Sequence, residues 1–529
     1  MLTTLMLIPL AGAVAMYAIP SSQAKLAKQF AFAISLLTSI FAIALSLQLN
    51  SKNGGLQLTE KYSWIPSFGI SWSLGLDGIS AVLIVMATLL VSLVIIASWN
   101  DVEQIGRGTV KGYFSLILLL EVFMIGVFAA TDLFLFYVFF EAMLIPVYFL
   151  IGRFGGPQRA YAAMKFLLYS LVGGLFMLAS LIGLYIVSGR ELGQGTFDFV
   201  ALTGLHIDPA TQKMLFLGFF FAFAVKAPMV PFHTWLPDAA SESTPGTATL
   251  LVGVLDKVGT FGMIRYCLQI FPDASKYYTP VVLTLAVISI FYGALLAIGQ
   301  TDMMRLVAFT SISHFGFIVL GIFAMTSTGL SGSTFYMVNH GFSTGAMFLV
   351  VGFLISRRGS KKIADFGGVQ KVAPLLAGVF LVAGLSSLAL PGMSSFVSEF
   401  MVLVGTFSVH RWYAVVATFG IVFAAVYILW FYQRTMTGEP STEVESSVSE
   451  INARELVAIG PLLAIIIALG FVPQYALRLI NPTVSVVQKD LDVRDPMKVV
   501  DQFTDLDHNH SMMMDQSMNL DHNNVGSDQ

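Results

Sequence analysis

From Leu2 to about residue 477, long apolar stretches alternate with short polar ones. About 20 apolar residues in a row cross the hydrocarbon core of a bilayer as one helix. Fourteen spans are predicted on that basis, near 2–19, 29–47, 77–98, 113–130, 132–151, 162–187, 214–232, 247–270, 279–299, 303–325, 333–356, 375–390 (continuing to 409), 412–433 and 456–477. The fourth and fifth are separated only by Ala130-Thr131-Asp132. The pattern predicts an all-α, polytopic membrane protein. The chain is apolar from Leu2 with no basic segment before it, which reads as a first span rather than a cleaved signal.

Two spans hold helix breakers beside an ionisable residue. Span 7 reads Ala224-Val225-Lys226-Ala227-Pro228-Met229-Val230-Pro231, and span 12 runs from Leu390-Pro391-Gly392-Met393 through Ser394-Ser395-Phe396-Val397-Ser398 to Glu399. A proline frees a carbonyl inside a helix, which a membrane protein tolerates where protein or cavity water satisfies it. Broken helices five spans apart predict two five-helix repeats, spans 4–8 and 9–13. An odd number of helices per repeat gives the copies opposite topology, as in many transporters. In that register Glu141 of span 5 matches His314 of span 10, Lys165 of span 6 matches His340 of span 11, and Lys226 of span 7 matches Glu399 of span 12. Lys257 of span 8 has no ionisable match; Tyr427 is the nearest polar residue in span 13. The chain then divides into three N-terminal spans (1–112), a first repeat (113–270), a second repeat (271–433), a last span (434–480) and a polar acidic tail (481–529) expected to be disordered. His508, His510 and His522 with Met512 to Met514 could bind a metal, but a disordered tail is the simpler reading.

Composition agrees. Charged residues make up 11% of the chain and hydrophobic ones 56%, against roughly 25% charged in a soluble domain. Aromatic residues (13%) and 46 glycines suit closely packed helices. A net charge of −3 with no basic face excludes nucleic acid as a partner. The single cysteine, Cys267, excludes an internal disulfide and a self-contained iron–sulfur cluster, which takes about four thiolates. Neither a GxGxxG run nor a Gly-Lys dipeptide occurs, so no dinucleotide or P-loop motif is encoded. Of the 28 Lys and Arg residues, 14 fall in odd-numbered loops, six in even-numbered ones and four in the tail. The positive-inside rule puts the odd loops in the cytoplasm of a bacterial plasma membrane and both termini outside. The other four, Lys165, Lys226, Lys257 and Arg265, lie within spans.

With Glu121, Glu141, Asp256 and Glu399, eight ionisable side chains lie in the apolar stretches. A charge at the bilayer centre costs about 2.5–3.5 kcal/mol on the insertion scale, so eight unpaired ones would cost roughly 20 kcal/mol. They must pair, meet water or lose their charge, and each route points to moving ions or protons. Glu141, in Phe139-Phe140-Glu141-Ala142-Met143, is expected to partner Lys226, because an apolar residue would serve packing at lower cost. Lys226, beside its broken helix, is the foremost candidate for a proton-loading site. A nearby carboxylate favours its charged form and burial opposes it. Lys257 and Glu399 come next. Lys165, one turn after Tyr161, could instead snorkel to the interface. His314, after Ser311-Ile312-Ser313, and His340, after Asn339, could each be a hydrogen-bonded core histidine, but their matching repeat positions favour a relay. Asp256 points about 100° away from Lys257 on a helix, towards another cavity or subunit. Glu121 is open between the two readings, and Arg265 reads as structural. His233, Trp235 and Asp238 fall in a predicted interfacial segment, Phe232 to Ala240.

These residues resemble the antiporter-like membrane subunits of respiratory complex I, the proton-pumping NADH:quinone oxidoreductase. The resemblance covers about residues 60–480. It rests on Glu141 to Gly152 (EAMLIPVYFLIG), Val225 to Ala239 (VKAPMVPFHTWLPDA), Arg305 to Gly316 (RLVAFTSISHFG) and Leu390 to Met401 (LPGMSSFVSEFM). Of the three subunit types in this family, L and N carry a lysine at the second broken helix and M a glutamate; here the residue is Glu399. The chain also ends in a polar tail rather than the long lateral helix of type L. The M, or chain 4, type is therefore implied. The resemblance implies that Glu141 and Lys226 form the ion pair of the first half-channel and that Lys257 is the bridging lysine. His314 and His340 would belong to a hydrated axis and Glu399 to the exit half; Lys165 is expected to join the relay from its own place in span 6, apart from the resemblance. It implies no cofactor in this chain, with NAD, FMN, iron–sulfur clusters and quinone in partner subunits, and L- and N-type membrane subunits as neighbours. Opening the Glu141–Lys226 pair would send a proton to Lys257, then towards His314, His340 and Glu399. Asp256 and the acidic tail depart from the family pattern.

The alternative is a subunit of a multi-subunit Mrp-type Na+/H+ antiporter, which shares the first-half residues but against which Glu399 argues. A membrane subunit of a gas-evolving hydrogenase belongs to the same superfamily. A free-standing solute transporter would need a substrate pocket instead of charges strung along several spans. A pure scaffold would not retain such costly charges.

Overall fold

Helices start where the chain supplies acceptors for the free N–H groups of a first turn. Asp132 accepts from the backbone of Phe134 and Leu135 and starts the helix Leu133–Ala142, which carries Glu141. Thr244, Asp302 and Thr326 do the same for Pro245–Leu250, Met303–Ala324 and Ser327–Arg358, which open spans 8, 10 and 11. In the computed structural model, residues 1–496 are described. Among them, eleven helices are long and apolar enough to cross a membrane. Spans 1, 7 and 12 fall outside that criterion but are helical too. They are built from Leu2–Ala15, from Pro209–Lys226, and from the pair Pro374–Ser387 and Ser394–Val409.

Burial sorts these helices into a core and a surround. The run Pro245–Leu268 and the helix Met303–Ala324 are buried throughout their apolar windows, and Ser327–Arg358 nearly so. Ala24–Ser46, Arg159–Leu192, Pro272–Ile298, Arg411–Met436 and Ala453–Phe471 bury less than half of theirs. They turn side chains such as Leu168, Phe176, Leu295 and Phe419 outward. In a bilayer an outward apolar face is the solvated one. The three core helices carry Asp256 and Lys257, His314 and His340, so the costly groups lie where the surrounding helices keep lipid away from them.

Three features differ from expectation. Strands Gln57–Ile65 (β1) and Ile70–Leu76 (β2) form an antiparallel hairpin before span 3, with Tyr62 opposite Trp72. The tail does not begin at 481: a helix runs over Gln474–Asp490. Its Ile480, Thr483, Val484 and Val487 recur at helical spacing and are buried, which explains order in a stretch of low mean hydropathy. The candidate metal-binding residues His508, His510, His522 and Met512 to Met514 lie outside the described residues. Span 8 is not a plain helix. It is wound as π-helix over Leu251–Leu255 and Met263–Leu268, on either side of Asp256–Gly262.

Candidate functional site

Helical regularity fails beside each of the principal charges. Leu133–Ala142 stops one residue after Glu141, and Leu144–Phe154 resumes after Met143. Pro209–Lys226 ends on Lys226, and the chain turns through irregular backbone before Trp235–Glu242. Pro374–Ser387 ends before a turn with Ala389 and Gly392 at positive φ, and Ser394–Val409 then carries Glu399. Lys257 follows a π-helical turn. Wide turns and breaks leave backbone groups to be satisfied by other partners, and those partners are visible. Trp235 Nε1 donates to the Val225 carbonyl across the break of span 7 (2.9 Å). Ser289 Oγ accepts from Val230 N at 3.0 Å. Lys257 Nζ donates to the Val252 carbonyl at 2.6 Å. Asn339 Nδ2 donates to the Ser394 carbonyl (2.9 Å) and Ser398 Oγ (3.2 Å) where span 12 resumes.

A chain of contacts follows. Lys257 Nζ lies 2.6 Å from His340 Nδ1. The rings of His340 and His314 meet edge to face, 5.2 Å between centroids. Tyr427 OH is 3.2 Å from His314 Nε2, and the Tyr336 ring centroid lies 6.1 Å from that of His314. Tyr336 OH donates to Glu399 Oε2 at 2.7 Å. Lys257 and His340 are 0% exposed, His314 3% and Glu399 5%, so the line runs through the interior. The order of contact from Lys257 is His340 and then His314, the reverse of the sequence-based order. Span 11 lies nearer to span 8 than span 10 does at this level, and linear position does not reveal that.

Glu141 and Lys226 act on each other electrostatically, but the expected ion pair is not closed by contact. Neither Glu141 Oε1 nor Lys226 Nζ makes a hydrogen bond among the described residues. Lys226 Nζ sits over the rings of Phe140 (4.9 Å) and Phe166 (5.7 Å), whose faces favour a cation. Glu141 is half-buried against Gly174 of span 6, where a Cβ would overlap its carboxylate. Glycine is the residue that leaves this carboxylate its space.

Lys165 does not join this line. It forms a salt bridge with Asp238 at 2.7 Å, and Asp238 also pairs with Arg305. Arg265 pairs with Asp77, the N-cap of Gly78–Ala97, and lies over Phe199 and Phe261, which supports the structural reading. Sequence reasoning missed Tyr336 and the double role of Asp238. Tyr336 precedes His340 by four residues and so shares its helix face; that spacing was the available signal.

The chain matches, over residues 130–424, the family described as "NADH:quinone oxidoreductase/Mrp antiporter, TM". It is 50% identical over 530 residues to NADH-quinone oxidoreductase subunit M of Mycobacterium tuberculosis (strain CDC 1551 / Oshkosh), covering 94% of this chain and 95% of that protein. Its structure is similar to a chain of respiratory complex I from Thermus thermophilus, with a TM-score of 0.84, 31% identity, and 93% of this chain and 100% of that chain covered. It also shares its fold with a chain of the Mrp complex of Dietzia sp. DQ12-45-1b, with a TM-score of 0.82, 22% identity, and 93% and 99% covered. With its buried line of lysine, histidine and glutamate side chains in discontinuous helices, the chain belongs to the family of antiporter-like membrane subunits of NADH:quinone oxidoreductase, in the subunit M branch.

Proposed function

We propose that this chain carries protons across the membrane and performs no redox chemistry of its own. The observation that supports this reading most strongly is the buried line from Lys257 through His340 and His314 to Tyr336 and Glu399. Each member can hold or release a proton, and neighbours are close enough to hand one on directly or through water. Lys226 loads first. Its charge is supported by Glu141, with which it interacts without contact, so a small movement of either helix beside its break changes that support. The proton then passes to Lys257, His340 and His314, and leaves by way of Glu399. Each transfer is a shift in relative proton affinity, worth about 1.4 kcal/mol per pKa unit.

In this reading the electrons flow in partner subunits, which hold NAD, FMN, iron–sulfur clusters and quinone. L- and N-type membrane subunits lie alongside. The protein resides in a bacterial plasma membrane with its termini on the outer side, as the basic loops indicate. Discontinuities five spans apart, at Lys226 and before Glu399, support the inverted repeat.

Glu141→Gln or Lys226→Ala in the whole complex tests the reading. The expected outcome is an assembled complex that still oxidises NADH with an artificial acceptor. Its proton pumping and quinone reduction fall roughly tenfold, the equivalent of about 1.4 kcal/mol. Full pumping by either variant refutes the mechanism.

A further inference from the structure

Two fully buried carboxylates have no place in the line described so far, Glu121 and Asp256. Neither makes a hydrogen bond among the described residues. Their surroundings differ. Glu121 lies within Val110–Ala129, whereas Asp256 adjoins Lys257 on the helix that packs against the end of span 7, which carries Lys226. Local geometry explains this. Asp256 opens the short α-helical segment between the two π-helical turns of span 8. Gly259, three residues on and therefore on the same face, lies against the end of span 7. A Cβ at Gly259 would stand 2.6 Å from the Phe223 carbonyl oxygen and 2.5 Å from Ala227 N. This glycine brings the Asp256 face of span 8 against the turn that carries Lys226. Lys257, about 100° round the helix, instead meets His340. Adjacent residues of one helix thus address the two halves of the line.

We propose that Asp256 is a proton-carrying site between Lys226 and Lys257. Its carboxylate takes a proton from the Lys226 ammonium, leaving a neutral amine and a carboxylic acid. The acid then gives that proton to neutral Lys257, which restores the carboxylate and leaves Lys257 as the ammonium. Nothing is oxidised or reduced, and one proton moves at each step. The proposal deepens the reading of this chain as a proton carrier and rests on it.

Asp256→Asn tests it, because the amide matches the neutral acid in shape but cannot pass on a proton. Asp256→Ser and Asp256→Glu are made alongside, all in the intact complex, with assembly read from NADH oxidation by an artificial acceptor. The expected result is that the Asn and Ser variants pump roughly tenfold more slowly, while the Glu variant recovers most of the wild-type ratio of protons pumped to NADH oxidised. A structural role would be met by Asn and not by the longer Glu. Wild-type pumping by any assembled non-carboxylate variant overturns the proposal, as does a Glu variant no better than Asn. Lys226→Ala in the same membranes separates the two claims. If it fails while Asp256→Asn pumps normally, only the role of Asp256 is lost; if both pump normally, the proton-carrier reading falls with it.

Discussion

Glu399 and Glu141 show what a buried carboxylate needs around it. Glu399 has the Tyr336 hydroxyl at 2.7 Å. Removing one partner of a buried hydrogen bond leaves the other unsatisfied, at a cost of about 1–3 kcal/mol. Tyr336→Phe is therefore expected to slow pumping roughly tenfold, read as the rate of acidification of vesicles holding the complex. An unchanged rate would reduce Tyr336 to packing. Glu141 depends on space rather than on a donor. Gly174→Ala would place a methyl group on its carboxylate. Loss of pumping in an assembled complex is expected, whereas Gly378→Ala, whose Cβ would meet nothing within 4 Å, should leave pumping unchanged. Equal behaviour of the two variants would contradict the placement of Glu141.

At the scale of elements, the short helix Trp235–Glu242 ties span 6 to span 10. Its Asp238 accepts from Lys165 of span 6 and from Arg305 of span 10. Burial pushes the Asp238 carboxyl up, but hydrogen bonds and charge from Lys165 and Arg305 outweigh it and hold the group below the ordinary carboxylate range. A carboxyl held low in the folded state contributes stability above its unfolded pKa, and that contribution is lost as pH falls through the folded value. Asp238→Asn should therefore cost about 1–3 kcal/mol near neutral pH, discounted for partial exposure. The difference from wild type should shrink in acid. Thermal inactivation of the purified complex across pH checks this, and equal stability of the two proteins at neutral pH would rule it out. The span positions were legible in the sequence because hydrocarbon thickness sets their length. The breaks at Lys226 and before Glu399 were legible from Pro228, Pro231 and Pro391. The hairpin was not, since Gln57–Ile65 mixes polar and aromatic residues without a strong signal. The helix Gln474–Asp490 was not either, because it is amphipathic rather than apolar. Glu141, Lys226, Lys257 and Glu399 were legible as misplaced ionisable groups, and His314 and His340 from their matching positions in the expected repeats. Their order in space was not, because it depends on which helices pack side by side.

At the scale of the whole molecule, the core spans hold the titratable line and the outer spans meet lipid. At one end Lys361 ties the helix Trp235–Glu242 to the start of span 10, with Glu242 at 3.1 Å and Asp302 at 3.2 Å. Under the proposed function such a body would move charge by small displacements at its helix breaks rather than by opening a solute cavity. Lys257 is its centre. It touches His340, and the helix face that its neighbour Asp256 shares with Gly259 packs against the turn that carries Lys226. The most direct measurement is the number of protons pumped per NADH oxidised by the complex in sealed vesicles, with Lys257→Met in this chain. Methionine fills similar space without a charge. The account predicts an assembled complex with a lower ratio and slower quinone reduction. A wild-type ratio in that variant would contradict it.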